Sequence, residues 1–302
     1  MMKLRLYQLG FEIAPRVPKR LVQYLAIVAG YGIWLLARGT RHRIRANLAH
    51  IPTLAADPAR LDHVTRQCFV HLMLNYVDLF APPDQTDPAF AAQFTIENEH
   101  LIREILKRGK GCIIVTHHAG SFEIARQRLR LVFDGPGMIP VEELEAPELF
   151  ALVAKQRERC GLQFPPISAS ETLRDMLSAL RHNQVIMIAM DRDVLHTGIV
   201  MPFFGTPARM PIGIVALARR TGAPIMWANA DREGLNRFHS RLTELPVEID
   251  ADTRGEEAMR HALQPIVDHM ERVILQHPEQ WLAPFAGDIW ENSAPLTAGH
   301  PL

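Results

Sequence analysis

The stretch THHAGSFE, from Thr116 to Glu123, places a histidine and a carboxylate, His118 and Glu123, on either side of four residues. A histidine held by a carboxylate is a general base, because the carboxylate fixes the imidazole tautomer and stabilises the imidazolium as the proton arrives. The run before it, Gly111 to His117, is apolar and reads as a buried strand. The run after it, SFEIARQRLRLVF, reads as a helix with Ser121 at its N-cap. His118 then leaves the strand in the turn and Glu123 falls in the first helical turn. The loop is short enough to bring the carboxylate back towards the imidazole. The helix N-terminus adds backbone N–H groups for an oxyanion or a phosphate. His117 competes for the role, at one residue greater separation from Glu123. The same residues also read as a capping pair, Ser121 on the helix end and Glu123 at its positive pole. Spacing alone does not separate the two readings.

A second group follows another apolar run, VIMIAM (Val185 to Met190), in MDRDVLHTGIVMPFFGTPARMPIG. Asp191 and Asp193 alternate just past the expected strand end, with Arg192 between them. Arg209 precedes a helix start at Pro211, where a guanidinium and helix N–H groups together suit an anionic head group. The alternative is structural: Asp191 caps a turn and Arg209 pairs with it. A third feature, HPEQW (His277 to Trp281), reads by itself as a helix stop with an interfacial tryptophan.

Several chemistries are disfavoured. Ser121 lies in HAGSFE rather than G-x-S-x-G, so a nucleophile elbow is not indicated. No H-E-x-x-H occurs and the histidines are scattered, so no metal site is expected. Three cysteines, Cys68, Cys112 and Cys160, are too few and too dispersed for a disulfide scaffold or a Cys-rich zinc site. Lys+Arg equals Asp+Glu at 33 each, which argues against nucleic-acid binding through overall positive charge.

The elements that must position these groups divide at the Pro/Asp-rich segment Ala81–Ala89. Residues 1–80 read as helices throughout. Residues 90–290 alternate strands and helices: a strand in FTIEN, helices in HLIREILKRG, PELFALVAKQRERCG and ETLRDMLSALRHN, a strand in APIMWANA, and a long last helix from Gly255. That pattern predicts an α/β fold with a mostly parallel central sheet flanked by helices, and ligand chemistry at the carboxyl ends of its strands. The two stretches read as one integrated domain.

Residues 1–47 carry nine Lys/Arg against one acid, Glu12. Between the basic clusters lies Leu21–Ala37, which has no charge and one amide, Gln23. As a helix it is about 25 Å long, the lower limit for a bilayer core of about 30 Å. It is not an obvious cleavable signal. Three placements are open: a buried core helix, a single span, and a helix lying in the interface and held by basic residues near anionic lipids. The last makes residues 1–80 a membrane-docking region.

The order His118-x4-Glu123, Asp191-Arg192-Asp193, Thr197-Gly198, Phe203-Phe204-Gly205, Pro207-Ala208-Arg209-Met210, ALARRTGA and HPEQW resembles the bacterial lipid A late-acyltransferase family, part of the wider lysophospholipid acyltransferase group. Arg45-Ala46-Asn47-Leu48 is similar to that family's basic-x-Asn-Leu element. The resemblance spans about residues 5–285 and, through the DRD and FFG-x-PARM elements and Val141–Arg157, is nearer to the phosphatidylinositol mannoside acyltransferases. It implies transfer of a fatty acyl group from acyl-CoA or acyl carrier protein to a hydroxyl of a membrane glycolipid, without cofactor or metal. It implies His118 as base, Glu123 as its orienting acid, and Ser121, Asp191, Asp193 and Arg209 as substrate-side residues. It also implies a place on the cytoplasmic face of the inner membrane, peripheral or single-pass. Ser121 and Phe122 stand where the common form of the first motif has Asn and Trp. MIPVEELEAP lacks the Tyr-Arg pair usual in the lipid A branch, which leaves a lipid A precursor as the alternative acceptor. The rivals in other classes are a lipid or thioester hydrolase using the same base on water, and a non-catalytic membrane-docked scaffold.

Overall fold

A computed structural model describes residues 2–290, apart from 86, 134, 145 and 250–253. The chain begins with helices α1 (Met2–Ile13), α2 (Lys19–Leu36), α3 (Arg38–Leu48), α4 (Pro52–Ala55), α5 (Pro58–Phe80) and α6 (Pro88–Ala91). It continues through β1 (Phe94–Glu97), α7 (His100–Leu106), β2 (Cys112–Thr116), α8 (Phe122–Arg130), β3 (Gly137–Met138), α9 (Pro147–Glu158), α10 (Ser170–Arg181) and β4 (Val185–Ala189). Then come β5 (Ile199–Phe203), β6 (Thr206–Met210), α11 (Gly213–Thr221), β7 (Ile225–Gly234), β8 (Arg237–Glu244) and α12 (Gly255–Gln276).

Six strands form one sheet in the order β1-β8-β7-β2-β4-β3, parallel except for the β7–β8 pair. The apolar runs of β2 and β4 are explained by their central position, covered on both faces. Alternation along β2 feeds two cores. Ile113 and Val115 join Leu180, Ile214 and Leu263 of α10, α11 and α12. Cys112 and Ile114 join Ile102, Ile105 and Leu129 of α7 and α8 on the other face. The result is the expected α/β sheet flanked by helices.

Two features differ from the sequence reading. The connection from the VIMIAM strand to the helix start expected at Pro211 contains the antiparallel hairpin β5–β6. Its two-residue connection, Phe204-Gly205, has φ of 50° and 74°, the positive-φ pair that a tight hairpin turn needs. Glu271 of α12 accepts a hydrogen bond from the Phe204 N–H at 2.5 Å and pins the residue that would otherwise resist that conformation. The second is β8, whose segment RFHSRLTE buries Phe238, Ser240 and Leu242 at alternate positions and completes a hairpin with β7.

In the N-terminal part, α2 lies along α5, with Ala26 packed among Val70, Leu74 and Val77. The helices approach so closely at Gly30 that a Cβ there would lie 2.8 Å from the Val70 Cα. The opposite face of α2 is apolar yet open to solvent: Leu21, Tyr24, Leu25, Val28, Leu35 and Leu36 are all exposed. Their spacing of three and four residues is one helical stripe. After Leu36 the chain turns by 94° into α3. Ile44 and Leu48 of α3 and Phe69 of α5 then enter the same core as Trp227 and Trp281.

Candidate active site

Strands β2 and β4 pair in parallel from Cys112↔Val185 through Thr116↔Ala189. Continued by two residues, that register brings His118 beside Asp191. The His118 Nδ1 lies 2.7 Å from Asp191 Oδ1, and the His118 backbone N–H donates to Asp191 Oδ2 at 2.9 Å. Trp281 completes the set by donating its indole N–H to Asp191 Oδ2 at 2.9 Å. Asp191 is fully buried; burial alone would raise its pKa, but the contact with His118 and these hydrogen bonds hold the carboxyl well below the usual carboxylate range. With Nδ1 bound to a carboxylate, the imidazole presents Nε2 outwards, and the side chain is 35% exposed at the wall of a cavity. This is the geometry of an oriented general base.

The carboxylate at the imidazole is thus Asp191 rather than Glu123, which corrects the sequence reading of that pair. The Glu123 carboxylate is instead held by two arginines. Arg126 Nη2 donates to its Oε2 at 2.5 Å, and Arg157 of α9 grips it through Nε, 3.1 Å from Oε1, and through Nη2. Burial opposes ionisation of Glu123, but the two guanidinium groups outweigh it and carry its pKa below the ordinary value. Glu123 and Arg157 still line the same cavity as His118, together with Tyr7 of α1, Tyr76 of α5, and an Arg192–Glu142 ion pair at 2.7 Å.

Ser121 holds the N-cap position of α8 but does not cap it. Its hydroxyl donates to the Ala230 carbonyl of β7 at 2.5 Å, and the residue is fully buried. The Glu123 N–H is met by Asn75 Oδ1 of α5, the Phe122 N–H by the Ala119 carbonyl and the Ile124 N–H by the Ser121 carbonyl. The N–H groups expected to face a ligand are already occupied.

The remaining substrate-side candidates lie away from His118. Asp193 Oδ2 accepts from the Gly198 N–H at 2.7 Å and closes its own loop. Arg209 is not at a helix start; it sits in β6 opposite Val200, is 8% exposed, and donates to the Gly198 carbonyl at 2.8 Å. Asp193 and Arg209 line a second cleft with His196 and Asp288, which adjoins the His118 cavity at Arg192 and Ala286. His117 is buried and stacked on Trp227, and burial lowers its pKa to about 4.

HPEQW supports the site. Far from being interfacial, Trp281 is fully buried. Ala119 pairs with Trp281 in an antiparallel bridge, and the Leu282 N–H donates to the His118 carbonyl at 2.7 Å. Gln280 brackets Arg232, accepting from its N–H and donating to its carbonyl. A buried indole donor on a buried carboxylate was not legible from HPEQW, whose only sequence signal was its place after the last helix.

Beyond Phe122, whose ring meets His118 edge-on at 5.9 Å, a further, narrow cleft runs between α8 and the sheet. It crosses the strands in sheet order: Met187 of β4, Thr116 of β2, Ala228 and Ala230 of β7, Ser240 and Leu242 of β8, Ile96 of β1. Five strands at the usual spacing make a path of about 19 Å.

The model of the family described as bacterial lipid A biosynthesis acyltransferase matches residues 7–283. The chain is 24% identical over 283 residues to the phosphatidylinositol mannoside acyltransferase of Mycolicibacterium smegmatis, covering 91% of this chain and 88% of that protein. It is 28% identical over 178 residues to the enzyme of the same name from Mycobacterium tuberculosis strain H37Rv, covering 58% of this chain and 54% of that protein. The matched residues take in most of α1 and every element from α2 to α12. The chain belongs to the bacterial lipid A biosynthesis acyltransferase family and is an acyltransferase.

Proposed function

We propose that the protein moves a fatty acyl group from a thioester donor, acyl-CoA or acyl carrier protein, to a hydroxyl of a membrane glycolipid of the phosphatidylinositol mannoside kind. The observation that carries the reading is the His118–Asp191–Trp281 chain at the wall of a cavity that also holds Glu123, Arg157 and an ion-paired Arg192. His118 Nε2 takes the proton of the acceptor hydroxyl as its oxygen attacks the thioester carbonyl. Collapse of the tetrahedral intermediate forms the ester C–O bond and breaks the C–S bond, and the imidazolium returns its proton to the leaving thiolate. Asp191 stays ionised and holds the tautomer and the ring orientation throughout. Glu123 acts indirectly in this reading: it fixes Arg157 on the cavity wall, where a guanidinium suits sugar hydroxyls or an anionic group. The cleft across the sheet takes the acyl chain, since the surface it offers is mostly apolar.

The polar acceptor must reach this cavity from a bilayer, and Tyr7 of α1 lines it. The open apolar stripe of α2, with Leu6, Leu9 and Ile13 exposed on α1, suits a surface that lies in the interface. No single helix among the described residues is long and apolar enough to cross a membrane. The docked face would be the cytoplasmic face of the inner membrane, where thioester donors are.

The test is incubation of the purified protein with palmitoyl-CoA and phosphatidylinositol dimannoside, or a lipid A precursor, with mass spectrometry of the products. Acylated mannoside supports the reading, and acylated precursor moves the acceptor to the lipid A branch. Free fatty acid at the same rate with and without acceptor makes the protein a hydrolase. No turnover of any thioester leaves a docked scaffold.

A further inference from the structure

At the 94° elbow between α2 and α3 lies a cleft far from His118, lined by Trp34, Arg41, His42, Arg45, His63 and Arg66. Its one acid among the described lining residues, Asp62, is already engaged by Arg45 at 2.6 Å. The other two guanidinium groups gather on one indole: Arg41 lies 5.2 Å and Arg66 5.9 Å from the Trp34 ring centroid. Arg41 also donates to the Trp34 carbonyl at 3.1 Å, so its head is held in place. Arg66 is positioned by His63 Nδ1, 3.1 Å from its Nη2, while its buried Nε has no hydrogen-bond partner. Two guanidinium groups fixed beside one aromatic ring, one of them with an unfilled N–H, are a receptor for a phosphate.

The source of that phosphate follows from what surrounds the cleft. Leu36, the last residue of α2, is 85% exposed, and Leu35 beside it is 59% exposed. They form the end of the apolar stripe, two residues from Trp34. A helix that buries this stripe in the acyl boundary sets the elbow arginines at the depth of the head groups. A partly exposed tryptophan at that junction is the usual interfacial residue.

We propose that the elbow is a specific site for the phosphodiester head group of an anionic phospholipid, gripped by Arg41 and Arg66 over Trp34. The site rests on the interfacial docking of α2 argued above, and it is a holding site distinct from the cavity of His118. It would keep the protein at one depth and rotation, so that the entrance beside Tyr7 faces the bilayer.

The experiment is co-sedimentation of the full chain with vesicles of phosphatidylcholine alone or with 30% phosphatidylglycerol. Wild type should prefer the anionic vesicles about tenfold or more. Arg41→Lys/Arg66→Lys keeps the charge and loses the forks, and should lose at least threefold of that preference. Arg41→Gln/Arg66→Gln should lose more than Arg16→Gln/Arg20→Gln, an equal charge loss at the other end of α2. A lysine variant equal to wild type would overturn the head-group site and leave the docking of α2 standing. Failure of wild type to bind either vesicle would overturn both. Loss of the preference in phosphate relative to chloride buffer at equal ionic strength would give the site to free phosphate and overturn the lipid assignment. Should a variant fail to fold, the wild type still decides. Trp227, Trp281 and Trp290 are buried, so brominated phosphatidylglycerol should quench a fluorescence component that is missing in Trp34→Phe. Equal quenching of the two proteins would overturn the site.

Discussion

Asp191 follows His118 by 73 residues, the same offset that pairs each residue of β2 with its neighbour in β4. The His118–Asp191 pair is therefore a continuation of sheet register past the last paired residues, locked by the Trp281 indole on the second carboxylate oxygen.

Loss of either member of that pair should reach the chemistry without unfolding the protein. His118→Ala should lower acyl transfer by about 10²–10⁴-fold. Asp191→Asn should approach the same loss, because an amide cannot hold the imidazole tautomer or stabilise the imidazolium. Trp281→Phe should be milder and should shift the pH dependence of kcat/KM. Steady-state kinetics with melting curves on the three variants check this, and full activity in folded Asp191→Asn would refute the orienting role.

Glu123→Gln should act differently. It removes the charge that compensates Arg126 and Arg157, leaving two guanidinium groups uncompensated, one buried and one partly so. Breaking a buried pair typically costs about 3–5 kcal/mol, so a large fall in melting temperature is expected. Restoring charge balance with Glu123→Gln/Arg126→Gln should recover part of the stability. If Glu123 were instead the carboxylate that orients His118, the double variant would be stable and as inactive as His118→Ala.

Arg209→Lys should lower thermal stability and spare both Michaelis constants, because Arg209 ties β6 to the Gly198 carbonyl and lies outside the His118 cavity. A raised Michaelis constant for either substrate at unchanged stability would return Arg209 to a substrate-binding role.

Acid should destabilise the protein well before its carboxylates protonate. Burial lowers the pKa of His117 and of His71 to about 4, against about 6.5 in an unfolded chain. Between those values the unfolded state binds more protons, so stability rises with pH through the window and is lost as pH falls from about 6.5 towards 4. The effect is on the order of 2–3 kcal/mol per histidine. Denaturant midpoints at pH 4.5, 5.5 and 6.5 should show it. His117→Phe, which keeps the stack on Trp227, should flatten the slope and retain acyl transfer.

Much of the architecture was legible in the sequence because it rests on local pattern. The apolar runs of β2 and β4, the alternation of strands with amphipathic helices, and the uncharged segment of α2 each follow from side-chain periodicity within a few residues. His118 was legible for the same reason, as the residue leaving a buried strand. Its partner was not. Glu123 is near in sequence and lines the same cavity, but its carboxylate is taken by Arg126 and by Arg157, from a helix more than thirty residues on. Asp191 reaches the imidazole only through the pairing of two strands separated by α8, β3, α9 and α10, and nothing local in either strand specifies that register. The same holds for Trp281, whose indole finds Asp191 only when the segment after α12 packs back on the His118 loop. Arg209 looked like a helix-start cation because a positive-φ turn at Phe204 is hidden from propensity and is fixed by Glu271, a distant residue. Local chemistry singled out His118 and the layers; long-range pairing and packing decided which charges meet.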